Sequence, residues 1–197
     1  MSAYRRRVFD LLKKQLATAN LPAEFSALDF GAGDGWFASQ VSASFPKAHV
    51  RAIDVQERRR VHFGVEIVGP NELTNIAEKS VDLVYAVDVL HHCHDPKQAL
   101  SDMIRVSKRY LLIKDHVAFS SLDYITLGIL DELGNRRFGI PSNYKYQRNW
   151  EWDLILKNIG WTPISKICPA PCHMGVLGAL TNRLQYVAIY RSPDSVH

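Results

Sequence analysis

The run Leu28-Asp29-Phe30-Gly31-Ala32-Gly33-Asp34-Gly35-Trp36-Phe37-Ala38 constrains the fold more than any other stretch of the chain. It reads as a buried strand ending in an acid, then a turn with glycine at every second position, then a helix start. Glycine lacks a Cβ, so it stands where the backbone must turn sharply and come close to a ligand. The free N–H groups of the following helix favour a polar or anionic ligand group. This is the opening of a nucleotide-type cofactor site, and its details decide which cofactor.

The dinucleotide fingerprint G-x-G-x-x-G needs a third glycine for helix–strand packing. Gly31 and Gly33 fit it, but the third place is Trp36, and the glycine comes one residue early at Gly35. The pattern Asp29-x-Gly31-x-Gly33-x-Gly35 instead resembles motif I, (D/E)xGxGxG, of the class I S-adenosylmethionine-dependent methyltransferases. The resemblance implies S-adenosylmethionine as cofactor, with Asp29, Gly31 and Gly33 in its site. His49 to Asp54 reads as the next strand. An acid about 20 residues beyond the glycine loop can accept both ribose hydroxyls of an adenosine, and the same role falls to the acid ending the second strand in that family. Ser80 to His92 resembles the family's fourth-strand segment, with a good match to the type 11 methyltransferases, a group that includes quinone-ring methylating enzymes. The resembling segments run from Leu28 to Ile113. They imply that Asp88 lies beside the methionine part of the cofactor. They also place the adenine contact after the third strand, where Asn71 aligns best by its spacing from Asp82 and Glu72 is its rival.

A chain of 197 residues suits a single α/β domain spanning 1–197. Val8, Phe9, Leu11, Leu12 and Leu16 predict an amphipathic helix over 3–19, ahead of the glycine loop. Phe37, Val41 and Phe45 predict the helix after it. Val81 to Val87, broken only by Asp82, suits a buried parallel strand. Asp95-Pro96-Lys97-Gln98 reads as a helix start, with Asp as N-cap and Pro at the first helical position. Tyr110 to Ile113 predicts another buried strand, ending at Lys114-Asp115-His116. Ser120 to Asp123 resembles a capping box, followed by a helical stripe of Leu122, Ile125, Ile129 and Leu133 closed by Gly134. Asn149 caps a short helix through Ile159, and Trp161 to Ile167 and Leu184 to Tyr190 are two final strands. The order predicts a doubly wound, mostly parallel Rossmann-like sheet with helices on both faces. Seven strands, one of them antiparallel near an edge, are what the resemblance implies. Only ten residues, Val55 to Gly64, separate Asp54 from the next apolar segment. A helical crossover needs about 10–12 or more, so the sheet is expected to be shortened between strands two and three.

Composition narrows the partners. The formal net charge of +4 is mildly basic, short of what an obligate nucleic-acid binder carries. Val87-Asp88-Val89-Leu90 stands where amino-group DNA methyltransferases hold an N-P-P-Y-like motif, and Pro171-Cys172 falls near the final strands. A flipped-base mechanism therefore has no support, and nucleic acid is not an expected partner. No run of about 18 apolar residues offers a membrane span. Three cysteines give no secreted disulfide framework, and a signal peptide is not recognisable, so a cytoplasmic setting is expected. The oligomeric state is not written in the sequence.

The segment 115–148 leaves the carboxyl end of the sheet, where open α/β folds bind ligands, and is expected to cover the acceptor side. His116 is the best candidate for a catalytic base, because imidazole titrates near neutrality; Asp115 would orient it or serve instead. The acceptor is expected to be a small molecule methylated at oxygen, nitrogen or activated carbon. His91-His92-Cys93-His94-Asp95 and Cys168-x-x-x-Cys172-His173 carry metal-ligand chemistry. Consecutive side chains on a regular element diverge, however, and neither run has the spacing of a common zinc fold, so no metal is expected. Two other classes remain: a non-catalytic cofactor-binding partner or sensor, consistent with the shortened crossover, and a nicotinamide-dependent oxidoreductase, disfavoured by Trp36.

Overall fold

The apolar runs of the middle of the chain become the middle of a sheet. The structure is a computed structural model and describes residues 3–69, 75–135 and 143–195. Its strands are β1 (Ser26–Phe30), β2 (His49–Asp54), β3 (Glu66–Ile67), β4 (Val81–Val87), β5 (Ser107–Ala118), β6 (Gln147–Arg148), β7 (Thr162–Ile167) and β8 (Gln185–Arg191). Its helices are α1 (Ala3–Leu16), α2 (Trp36–Ser44), α3 (Pro96–Val106), α4 (Ser121–Asn135), α5 (Glu151–Asn158) and α6 (Gly175–Thr181). The strand order is β3-β2-β1-β4-β5-β8-β7, with the two-residue β6 paired to the end of β5. All pairings are parallel except those of β8, which runs antiparallel to both β5 and β7. This is the doubly wound, mostly parallel sheet expected from the element order.

Alternation along each strand sends successive side chains to opposite faces, and both faces are filled. On one face Val84, Ala86, Leu111 and Ile113 pack with Leu100 and Met103 of α3 and with Trp152 and Leu156 of α5. On the other, Leu83, Tyr85 and Leu112 pack with Val8 and Leu12 of α1 and with Trp36 and Val41 of α2. A strand buried on both sides must read as a near-continuous apolar run, as β4 does. Asp95 caps α3 by accepting from the Lys97 and Gln98 amides at 3.0 and 3.1 Å, with Pro96 behind it.

The link between β2 and β3 is short. Residues 55–65 form bends and irregular backbone with no helix. The link lies across the glycine loop: the His62 amide donates to the Asp34 carbonyl at 2.7 Å, and Phe63 and Val65 pack on the small residues Ala32, Ala38 and Ala52. Asn71 and its rival Glu72 lie outside the described residues.

The expected helical stripe Leu122, Ile125, Ile129 and Leu133 forms in α4 and faces solvent, 57–75% exposed, while two expected helix boundaries differ. The inward face of α4 is occupied by Asp123, Leu127 and Asp131, which are needed for an ion pair with Arg183, for packing, and for a hydrogen bond from Tyr146. The helix also continues through Gly134 to Asn135 instead of closing there. At α5 the N-cap position is Trp150, in the left-handed region at φ 64°, not Asn149. Among the described residues no helix is long and apolar enough to cross a membrane.

Candidate functional site

The glycine loop joins β1 to α2 at the carboxyl end of the sheet. Gly31 and Gly33 have φ of 71° and 59°, a region that L side chains rarely adopt. They differ in surroundings. A Cβ on Gly31 would run into the Val89 side chain, so this glycine lets the segment after β4 close over the loop. A Cβ on Gly33 would stand in open space, with nothing within 4 Å. Gly33 thus presents bare backbone to an open cradle, which is what close approach by a ligand requires.

Asp54 at the end of β2 sets that cradle. Its Oδ2 accepts from the Gly33 amide at 2.7 Å and its Oδ1 from the Gln56 amide at 2.8 Å. Each oxygen keeps a second lone pair, so the carboxylate is positioned by backbone and can still accept from a diol. Asp29, beneath the loop, is buried, its carboxyl facing Tyr85. Burial pushes its pKa up to about 8, only partly offset by the Tyr85 hydroxyl and the Ala38 amide. Asp29 is therefore a support of the loop, protonated in the fold near neutral pH. The sign of the linkage follows. A raised folded pKa gives a contribution that is complete below the ordinary carboxylate range and is lost as pH rises towards about 8. Asp29→Asn keeps a neutral group in place and removes this loss. Melts from pH ~5 to ~9 should show the wild type losing ground to the variant up to about pH 8 and holding a constant gap above it. Parallel curves throughout would mean that Asp29 ionises normally.

The ends of β4 and β5 carry a second cluster. Asp88 follows β4 with φ 56°, and its carboxylate forms an ion pair with the fully buried Lys114. Lys114 Nζ also donates to the Tyr4 hydroxyl at 2.6 Å and to Gln185 Oε1 at 2.7 Å, while Tyr4 donates to Asp88 Oδ2 at 2.7 Å. Burial alone would raise the Asp88 pKa, but Lys114 and then His116 outweigh it and the net shift is down. Asp115 and His116 are next on β5. Asp115 accepts from the Leu90 amide at 3.1 Å and the His116 amide at 2.8 Å, and pairs with His91 Nδ1 at 2.5 Å. Burial works against its ionisation, yet His91 and the hydrogen bonds hold its pKa well below the usual carboxylate range. His116 Nδ1 lies 3.3 Å from Asp115 Oδ1 and 3.8 Å from Asp88 Oδ1. Burial lowers its pKa, and the Asp115 hydrogen bond offsets this only in part.

Asp88, Asp115 and His116 are thus brought together, and Gly33 and Asp54 are directly bonded, while Asp29 sits under the loop. Sequence reasoning missed Tyr4 and Gln185, which lie 84 and 97 residues from Asp88 and carry no local signal. It weighed His91 only as a metal ligand. The charged triplet Lys114-Asp115-His116 in an otherwise apolar strand was the visible sign of this cluster.

Comparison with known proteins gives the family and the fold that the chain resembles. Residues 28–110 match the family described as Methyltransferase domain. The malonyl-[acyl-carrier protein] O-methyltransferase of Methylococcus capsulatus is 31% identical over 118 residues, covering 55% of this chain and 42% of that protein. The chain thus spans less than half the length of this curated relative. A SAM-dependent methyltransferase from Aquifex aeolicus superposes with a TM-score of 0.60 at 19% identity, over 96% of this chain and 93% of that one. One from Archaeoglobus fulgidus gives 0.63 at 15% identity, over 95% and 94%. Residues 28–110 match a methyltransferase domain, and the fold is that of the class I S-adenosylmethionine-dependent methyltransferases. S-adenosylmethionine is the cosubstrate of that class, and the open backbone at Gly33 beside Asp54 fits it.

Proposed function

We propose that the protein transfers a methyl group from S-adenosylmethionine to a small-molecule acceptor, with His116 as base and Asp115 as its orienting partner. The observation that carries this is the open cradle at Gly33, pinned by Asp54, on the same sheet edge as a His–Asp pair. Gly31 and Gly33 would receive the cofactor on bare backbone, Asp54 its ribose hydroxyls, and Asp88 its methionine end, with Asp29 supporting the loop from below. Asn71 is retained as the proposed adenine contact on its spacing alone. Bound there, S-adenosylmethionine supplies an electrophilic sulfonium methyl.

The chain's own part is to bind, orient and take up a proton. Asp115 faces His116 Nδ1 and favours the tautomer with a proton on that atom. This leaves Nε2 to accept the proton of a hydroxyl or acidic C–H acceptor. Asp115 is already engaged by two amides and the His91 ring, which suits it to orienting rather than to acting as the base. The segment 115–148 is the proposed acceptor-side cover. The relative from Methylococcus capsulatus is named for O-methylation of malonyl-[acyl-carrier protein], so oxygen acceptors are the first to try. The whole chain acts as one methyltransferase domain, and its three free cysteines suit a cytoplasmic setting.

Calorimetry with S-adenosylmethionine and with NAD, followed by turnover to S-adenosylhomocysteine, tests the reading. The first should bind and the second should not; micromolar NAD binding without S-adenosylmethionine binding would sink it. Asp54→Ala should weaken S-adenosylmethionine by about 1–3 kcal/mol, the cost of losing hydrogen bonds to a charged group. An unchanged affinity would remove Asp54 from the cofactor site. Binding without turnover on any acceptor would favour the sensor reading, for which the link lying across the glycine loop is the one supporting observation.

A further inference from the structure

A regular helix or strand would point His91 and His92 apart. They sit instead in a short 3-10 turn, Leu90–His92, with ring centroids 4.1 Å apart. His91 is buried, and its two nitrogens have different fates. Nδ1 is bonded to Asp115 at 2.5 Å, too close for an ion to stand between them. Nε2 has no hydrogen-bond partner among the described residues, although it is buried. It looks across 3.4 Å at Oδ2 of Asp131, which α4 carries in from the cover. A buried imidazole nitrogen and a carboxylate oxygen at that separation are out of hydrogen-bond geometry. They stand, however, at the spacing of two ligands on one tetrahedral ion, about 3.4 Å for metal–ligand bonds of about 2.1 Å. One ring nitrogen of His92 completes a set in which the ligand atoms all lie within 4.8 Å of one another.

The surroundings match those of a built site. A metal-bound histidine nearly always gives its other ring nitrogen to a carboxylate, and a ligating carboxylate is itself hydrogen-bonded. Asp115 takes the first role toward His91, and the Tyr146 hydroxyl takes the second, donating to Asp131 Oδ2 at 2.5 Å. Imidazole with carboxylate selects a borderline divalent ion over calcium or magnesium, which prefer all-oxygen sets. We propose that His91, His92 and Asp131 bind a zinc-like divalent cation, with Asp115 and Tyr146 as its outer partners and a fourth position left for water or acceptor. Such an ion would tie α4 to the turn after β4 and so fix the acceptor-side cover over the strand ends.

The test uses the untagged full chain stripped with chelator, and zinc or cobalt(II) alone. Zinc at a hundredfold excess over its Kd should raise Tm by about 5–10 °C. Cobalt(II) should give the visible d–d bands of a four-coordinate site with stoichiometry near one. Asp131→Asn and His92→Ala should abolish both signals, which keeps the test open if a change at buried His91 fails to fold. Tyr146→Phe should weaken binding by about 10–100-fold, and His94→Ala, in the same run but outside the set, should leave it unchanged. No saturable binding by the wild-type chain would overturn the proposal. So would binding that survives Asp131→Asn but falls with His94→Ala, which would make the exposed end of the run, at His94, the chelator. Because these readouts need neither cofactor nor turnover, their failure leaves the methyl-transfer reading standing.

Discussion

Gly33→Val is expected to abolish S-adenosylmethionine binding in calorimetry while the far-UV spectrum stays that of the folded sheet. Two effects add. A β-branched residue at φ 59° is strained by about 1–3 kcal/mol, and the cost is paid locally because nothing lies within 4 Å of the new Cβ to be displaced. The branched side chain then fills the cradle that a ligand must enter. Loss of 100-fold or more, about 2.7 kcal/mol, should be measured with Tm lowered by only a few degrees. At Gly31 the same substitution would collide with Val89, so lost binding there would not separate a blocked site from a disturbed loop. Unchanged affinity in Gly33→Val would remove the glycine loop from the cofactor site.

The outcome at Gly33 also bears on why this part of the molecule is legible in the sequence. The loop, Asp54 and the buried strands are local patterns: glycine spacing, a strand-end acid, apolar runs. Each records a backbone constraint within about 25 residues. The shortened crossover is likewise a count of residues, and the structure answers it by laying Phe63 and Val65 on the loop. What the sequence hides is long-range. Lys114 is fully buried because Tyr4, Asp88 and Gln185 converge on it from α1, the end of β4 and β8. A lysine after an apolar strand otherwise reads as solvated. The direction in which α4 faces is hidden for a related reason. Amphipathic spacing locates an apolar face but not its direction, and here Asp123 and Asp131 claim the inward side through Arg183 and Tyr146. His91 shows the same limit, since its two neighbours Asp115 and Asp131 come from other elements.

His116→Ala should divide affinity from rate. His116 lies near the end of β5, two strands from the β1 loop, and its contacts are to Asp115, Asp88 and the rings of His91 and Tyr146 rather than to Gly33 or Asp54. S-adenosylmethionine affinity should therefore stay within a factor of about two. If Nε2 takes the acceptor's proton, kcat should fall by about 10²–10⁴-fold, or about 3–5 kcal/mol of barrier. A residue that only packs would move both quantities modestly, through the stability of the strand end. The split is sharper with a matched pair of acceptors. An acceptor that is already anionic has no proton to give up and should be methylated by the variant at close to the wild-type rate, while a hydroxyl acceptor should show the full loss. Asp115→Asn tests the orienting role in the same assay: it keeps the shape of the group but weakens its hold on Nδ1, so it should lower kcat on the hydroxyl acceptor and spare the anionic one. Wild-type kcat in His116→Ala on a hydroxyl acceptor would make His116 a packing residue and move the search for a base to its neighbours at the same strand end.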